Sequence, residues 1–181
     1  MRYLEKFTKL FLRITIISIL LLNCSENKKQ AKKVIVKKVG MDIPNTYKIN
    51  HLDKLSTEKI QSWKEYFDLA DFMSIYEKTS AKEALNNALE LKSLIKKAKD
   101  SNDINILKTA AFKARINVFE NEILRLADMT YIPAIKAQQV NGQIQNIFNT
   151  YNSLNSKISS IYKKELFDKA VKIDDVFKKV E

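Results

Sequence analysis

"AQQVNGQIQNIFNTYNSLNSKISSI", residues 137–161, decides the fold. Its apolar residues Ala137, Val140, Ile144, Ile147, Tyr151, Leu154, Ile158 and Ile161 alternate three and four positions apart. That is the spacing of a seam on one side of an α-helix packed in a bundle or coiled coil. Pro133 stands just upstream, and the fixed φ of proline suits the first turn of a helix, so the helix is expected to open there.

The same period recurs on the N-terminal side. ILKTAAFKARINVFENEILRLADM, residues 106–129, places Phe112, Ile116, Phe119, Ile123 and Leu126 on one face, and Leu107, Ala111, Ala114 and Val118 on another. So wide an apolar surface predicts a central helix with neighbours on both sides, capped at its start by Asp103. Before it, Ser80-Ala81-Lys82-Glu83 fits a capping box, in which the serine hydroxyl accepts the fourth residue's amide and the glutamate reaches back. The helix it opens buries Leu85, Ala88, Leu91, Ile95 and Ala98 and ends at Asp100-Ser101-Asn102-Asp103. A first helix over residues 57–77 has Ile60, Trp63, Phe67, Ala70 and Met73 at helical spacing. Ile173, Phe177 and Val180 continue the period as a fifth helix or an extension of the fourth.

From Thr46 to Glu181 the only glycine is Gly142 and the only proline Pro133. An all-β fold needs turn residues every 8–12 positions or so and is excluded. The sequence therefore predicts an all-α fold: an antiparallel bundle of four main helices over residues 51–181, with a C-terminal helix or extension. A segment of this length is enough to bury a core.

The start of the chain has a different character. MRYLEKFTKLFLR carries four basic residues against Glu5, and ITIISILLL, Ile14 to Leu22, is a short apolar run. About nine apolar residues match the central region of a secretory signal, whereas a spanning helix needs about 20. The run ends in Leu21-Leu22-Asn23-Cys24, which resembles the lipobox of bacterial lipoproteins, with Asn23 in a position usually held by a smaller residue. The resemblance covers residues 1–24. It implies cleavage before Cys24, a diacylglyceryl thioether on its sulfur and usually an acylated new amine. A lone thiol in an exported chain has no disulfide partner, and alkylation removes that reactive group. Two or three long acyl chains hold a protein firmly where one does not. Ser25 after the cysteine, by the same resemblance, favours the outer membrane of the bacterial envelope. FKARINVFENEILRLADM, with the proline and long Asn/Gln-bearing helix after it, also resembles segments of uncharacterised small helical lipoproteins of Gram-negative bacteria, a likeness that implies no catalytic residues.

Residues 24–50 are expected to be a basic tether. The chain carries a net charge of +11, and removing residues 1–23 leaves +8, of which +4 lies in residues 25–42. Lys28, Lys29, Lys32 and Lys33 either solvate a spacer or attract anionic lipid headgroups. Nucleic acid is not expected as a partner, because no recognition motif accompanies the charge.

Two features of the bundle invite function. Residues 137–156 contain no charge, and Gln138, Gln145, Asn149, Asn152 and Ser156 stand where a wet helix face would hold lysine and glutamate. They form either an interface for a protein partner or a surface buried in the bundle. After processing only Arg115 and Arg125 remain against 26 lysines, and Arg125 has Glu122 and Asp128 three residues to either side, a candidate structural ion pair. His51 is the only histidine, and the single cysteine is Cys24, so metal, haem and nucleophilic sites lack their parts; no cofactor and no enzymatic activity are expected. The expected role is a membrane-anchored interaction module for another envelope or surface protein. The alternative is a carrier whose bundle opens around an apolar molecule or lipid, lined by Trp63, Phe67, Phe112, Phe119 or Phe148.

Overall fold

A computed structural model describes residues 40–171. Cys24, Lys28, Lys29, Lys32, Lys33 and the expected C-terminal helix with Ile173, Phe177 and Val180 lie outside the described residues.

The elements run β1 (Pro44–Thr46), α1 (Lys54–Lys59), α2 (Lys64–Tyr76), β2 (Lys78–Ser80), α3 (Ala81–Ser101), a 3-10 turn (Asn105–Leu107), α4 (Ala110–Met129) and α5 (Ala137–Ala170). The four long helices form an all-α bundle, as expected. Pairings of side chains give their directions. Trp63 meets Ala98 and Tyr76 meets Ala84, so α2 and α3 run antiparallel. Glu122 meets Gln143 and Phe119 meets Tyr151, so α4 and α5 do too. The seam of α5 is buried at Val140, Ile144, Ile147, Tyr151, Leu154 and Ile158, with Phe148 and Tyr162 widening it. Each large apolar side chain buried in this way contributes roughly 1.5–3 kcal/mol.

The capping box forms. Glu83 donates its amide to Ser80 Oγ at 3.2 Å, and Ser80 donates its own to Glu83 Oε2 at 2.9 Å. These bonds to Ser80 hold the Glu83 carboxyl below its ordinary range.

Four expectations need correction. The first helix is two, because the chain turns between Lys59 and Lys64 so that Ile60 and Trp63 both enter the core. Trp63 also donates its indole N–H to Ala98 O at 2.8 Å, one of the last four carbonyls of α3. The buried stripe of α2 is accordingly Tyr66, Leu69, Met73 and Tyr76, with Phe67 and Ala70 only half-buried. The cap of α4 is Thr109, whose Oγ1 accepts from Phe112 N at 3.2 Å, since the 3-10 turn intervenes after Asp103. On α4 itself, Phe112, Ile116, Phe119, Ile123 and Leu126 are buried, but Ala111, Ala114 and Val118 are exposed. α4 nevertheless packs against both α3 and α5, as expected of a central helix, with Lys99 of α3 lying 2.6 Å from Glu120. Lastly, the folded part begins well before residue 51: Met41, Tyr47 and Ile49 are core residues, and a two-stranded antiparallel ribbon pairs Pro44 with Ser80 and Thr46 with Lys78.

Candidate interaction site

The segment MDIPNTYKIN, residues 41–50, has neither helical nor clean strand period, and side chains from elsewhere hold its backbone. It opens with a turn in which Ile43 N donates to Gly40 O at 3.2 Å, and Gly40 takes a φ of +84°, a conformation that favours glycine. Met41 O accepts from Lys82 N at 2.9 Å, fixing the turn to the start of α3. Further along, Tyr47 N donates to Glu77 O at 2.7 Å. Asn50 is gripped on both sides: its N–H donates to Asn152 Oδ1 at 2.8 Å, and its carbonyl accepts from Asn155 Nδ2 at 2.9 Å. Asn152 Nδ2 also reaches Lys48 O at 2.9 Å, and Tyr66 donates its hydroxyl to Asn155 Oδ1 at 2.8 Å inside the core. Burial raises the Tyr66 phenol well above its ordinary value, so it stays a donor at any physiological pH.

Part of the uncharged face of α5 is thereby explained. Asn152, expected at a partner interface, is committed to the chain's own backbone, and Asn155 and Gln143 are buried within the seam. Charged side chains in these positions would lose hydration without a partner of opposite sign.

The remaining amides line a cleft. One wall is Gly40, Ile43, Asn45, Thr46 and Tyr47; the other is Ala137, Gln138, Asn141 and Gln145 of α5; together they enclose about 500 Å³. No lining side chain is charged. Tyr47 is buried with its ring stacked on Phe148, centroids 5.0 Å apart and planes 10° from parallel. Its hydroxyl and Asn141 Oδ1 are both out of contact with solvent and have no hydrogen-bond partner among the described residues. Each such group costs roughly 1–3 kcal/mol relative to a satisfied one. Burial raises the Tyr47 phenol above its ordinary value. Gln138, Gln145 and Asn149 are exposed, the last two joined at 3.0 Å. Gly142 lies exposed on the same stretch of helix, with no atom within 4 Å of where a Cβ would stand. Such a cleft can exchange hydrogen bonds with a neutral polar chain, and it holds no acid, base or nucleophile.

The ion pair expected on α4 forms on one side only. Arg125 Nη1 lies 3.3 Å from Glu122 Oε1, while Asp128 is exposed and outside the pair. Helical side chains lean towards the N-terminus, which carries the guanidinium to Glu122 and away from Asp128. Glu122 Oε2 and its backbone carbonyl both accept from Gln143 Nε2 at 2.8 Å, so the pair ties α4 to α5. Arg115 hydrogen-bonds Ala111 O at 3.0 Å. The aromatic residues named for a carrier pack on their neighbours: Trp63 on Tyr66 and Phe112, Phe67 on Tyr66, Phe119 on Tyr151, and Phe148 on Tyr47.

Among the described residues no three His, Cys, Asp or Glu side chains come together as metal ligands, and no helix is long and apolar enough to cross a membrane. Sequence reading missed Tyr47, Asn141, Gln143 and Asn155. The last two could have been found, since they sit at seam spacing from Ile147 and Tyr151. Tyr47 and Asn141 meet only through a long-range contact that no local pattern encodes. The chain matches no family model, and no curated protein or solved structure is significantly similar to it.

Proposed function

We propose that the protein is a lipid-anchored lipoprotein of the bacterial envelope, held through Cys24 at the outer membrane, whose bundle serves as a docking module for an envelope or surface protein. The observation that carries the docking reading is the uncharged cleft whose two walls present the amides of Asn45, Gln138 and Gln145 with no charged side chain among them. An extended, neutral stretch of polypeptide has the donors and acceptors to engage them. Gly142 supports the same reading: a helix-interior glycine costs roughly 0.5–1 kcal/mol relative to alanine, and no neighbour in the fold requires it.

Two experiments test the two halves. Replacing Cys24 with alanine should shift the protein from the membrane to the soluble fraction or leave its signal uncut; normal processing with unchanged membrane partition rejects the anchor. A photo-crosslinking residue at Gln145, activated in native cells, should capture one defined neighbour, and the capture should fall when Gln138 is changed to lysine. Diffuse adducts unaffected by the lysine reject the cleft as the docking surface.

A further inference from the structure

The corner between α4 and α5 is an apolar exposed feature at the end of the bundle where the tether joins. Tyr131 is 75% exposed and Ile132 50%, and Pro133 and Ala134 beside them are exposed as well. From Met129 to Ile135 the chain carries no charge. The corner is also rigid. Tyr131 N donates to Asp128 O at 3.1 Å, Ile132 N to Met129 O at 3.2 Å and Ile135 N to Ile132 O at 3.4 Å, while Ile135 itself is buried. With these amides bonded internally and Pro133 lacking one, Ala134 N–H is the one donor of the tip without a partner among the described residues, and the oxygens of a headgroup layer can accept it.

Where the chain enters the bundle gives this tip its occupant. A Cβ on Gly40 would lie 3.6 Å from that of Ala137, the first residue of α5, so the segment from Cys24 joins the bundle beside the corner. Ile43, 63% exposed, projects at the same end. Another exposed apolar pair, Leu166 and Phe167, lies about 45 Å further along α5 at 1.5 Å per residue. The 16 residues from Cys24 to Gly40 span at most about 55 Å when fully extended. Planting the far end on the membrane would use up almost all of that length, whereas planting the near end uses none.

We propose that Tyr131 and Ile132 insert into the interface of the bilayer that holds Cys24, so that the bundle stands on the membrane by its α4–α5 corner. This rests on the lipid-anchor reading above. Tyrosine suits the site because its ring is apolar and its hydroxyl seeks the headgroup layer. The nearby charges are of both signs, with Asp128, Lys136 and the Asp42–Lys82 ion pair at 2.9 Å, so the contact is with neutral lipid and owes nothing to anionic headgroups.

The test uses the full processed protein, isolated from a bacterial host and reconstituted into phosphatidylcholine vesicles with brominated acyl chains. Tyr131→Trp, and separately Ile132→Trp, adds a reporter to the buried Trp63, which supplies the unquenched background; Phe167→Trp reports on the far end. The proposal expects quenching of the added signal by at least half at 131 and 132, a blue shift of about 10 nm, no change in 0.5 M salt, and little quenching at 167. Vesicle-bound protein with 131 and 132 unquenched, or with 167 quenched equally, overturns it. The mass of the N-terminal peptide reports the anchor separately. An unmodified Cys24 defeats the anchor and the inference with it, whereas a lipidated Cys24 with an unquenched corner defeats the inference alone.

Discussion

Replacing Gly142 with alanine should stabilise the protein. The residue lies inside α5, its φ is not positive, and an added methyl meets nothing within 4 Å, so neither strain nor a clash opposes the change. The methyl also buries no appreciable area, which leaves backbone entropy as the only sizeable contribution. Alanine for glycine in a helix interior is worth roughly 0.5–1 kcal/mol. For a folded part of this size that is a rise in Tm of about 2–5 °C. The chain with Cys24 replaced by alanine can be unfolded by urea and by heat, followed by far-ultraviolet circular dichroism and by fluorescence of Trp63, which is buried against Tyr66 and Phe112. Gly40→Ala is the control of opposite sign. At a φ of +84° a side chain is strained, and the cost is about 1–2 kcal/mol. A Gly142→Ala protein that melts at or below the unaltered temperature would refute the account of α5 as an unstrained helix with open space at this position. If stability rises while crosslinking through Gln145 falls, the glycine serves the cleft and not the fold.

Other substitutions probe the N-terminal segment and the core. Asn155→Leu strands the Tyr66 hydroxyl and the Asn50 carbonyl and should cost about 2–4 kcal/mol in urea unfolding; adding Tyr66→Phe should recover part of the loss, and strictly additive effects would contradict the shared network. Trp63→Phe removes the bond to Ala98 O as well as ring volume and should lower the unfolding midpoint more than Phe67→Leu, whose ring is half-buried. Asp53 caps α1 by accepting from Ser56 N at 2.8 Å, and that bond, with further help from Lys163, lowers its carboxyl pKa. A lowered folded value means that stability is present above the unfolded pKa of about 3.9 and is lost as pH falls through the folded one. Asp53→Ala should therefore cost about 1 kcal/mol at neutral pH, and Asp53→Asn should keep most of the cap while making unfolding less sensitive to acid below pH 4.

The bundle was legible because its seams are long. Over α5 the apolar period is repeated often enough to fix element, face and partner geometry, and the capping box at Ser80 marks the start of α3 from four residues alone. Where the sequence reading failed, a distant contact had decided. Local pattern made residues 57–77 one helix, whereas the chain turns between Lys59 and Lys64 and seats both Ile60 and Trp63 in the core. Residues 41–50 looked like linker because their hydrogen bonds go to Asn152, Asn155 and Glu77, far along the chain. The uncharged face of α5 was visible as a composition, but its division into a committed part at Asn152 and a free part at Gln138 and Gln145 depends on where residues 41–50 lie.

The double grip on Asn50 has a mechanical consequence. If the chain is held at its N-terminal side and the bundle is dragged away, tension arrives first at the Gly40 turn, then at the three-residue ribbon, then at the two asparagine amides of α5. These short attachments would give way one after another before any long helix is pulled from its neighbours. The N-terminal segment would thus act as a fuse, lengthening the leash under load while the bundle keeps its shape.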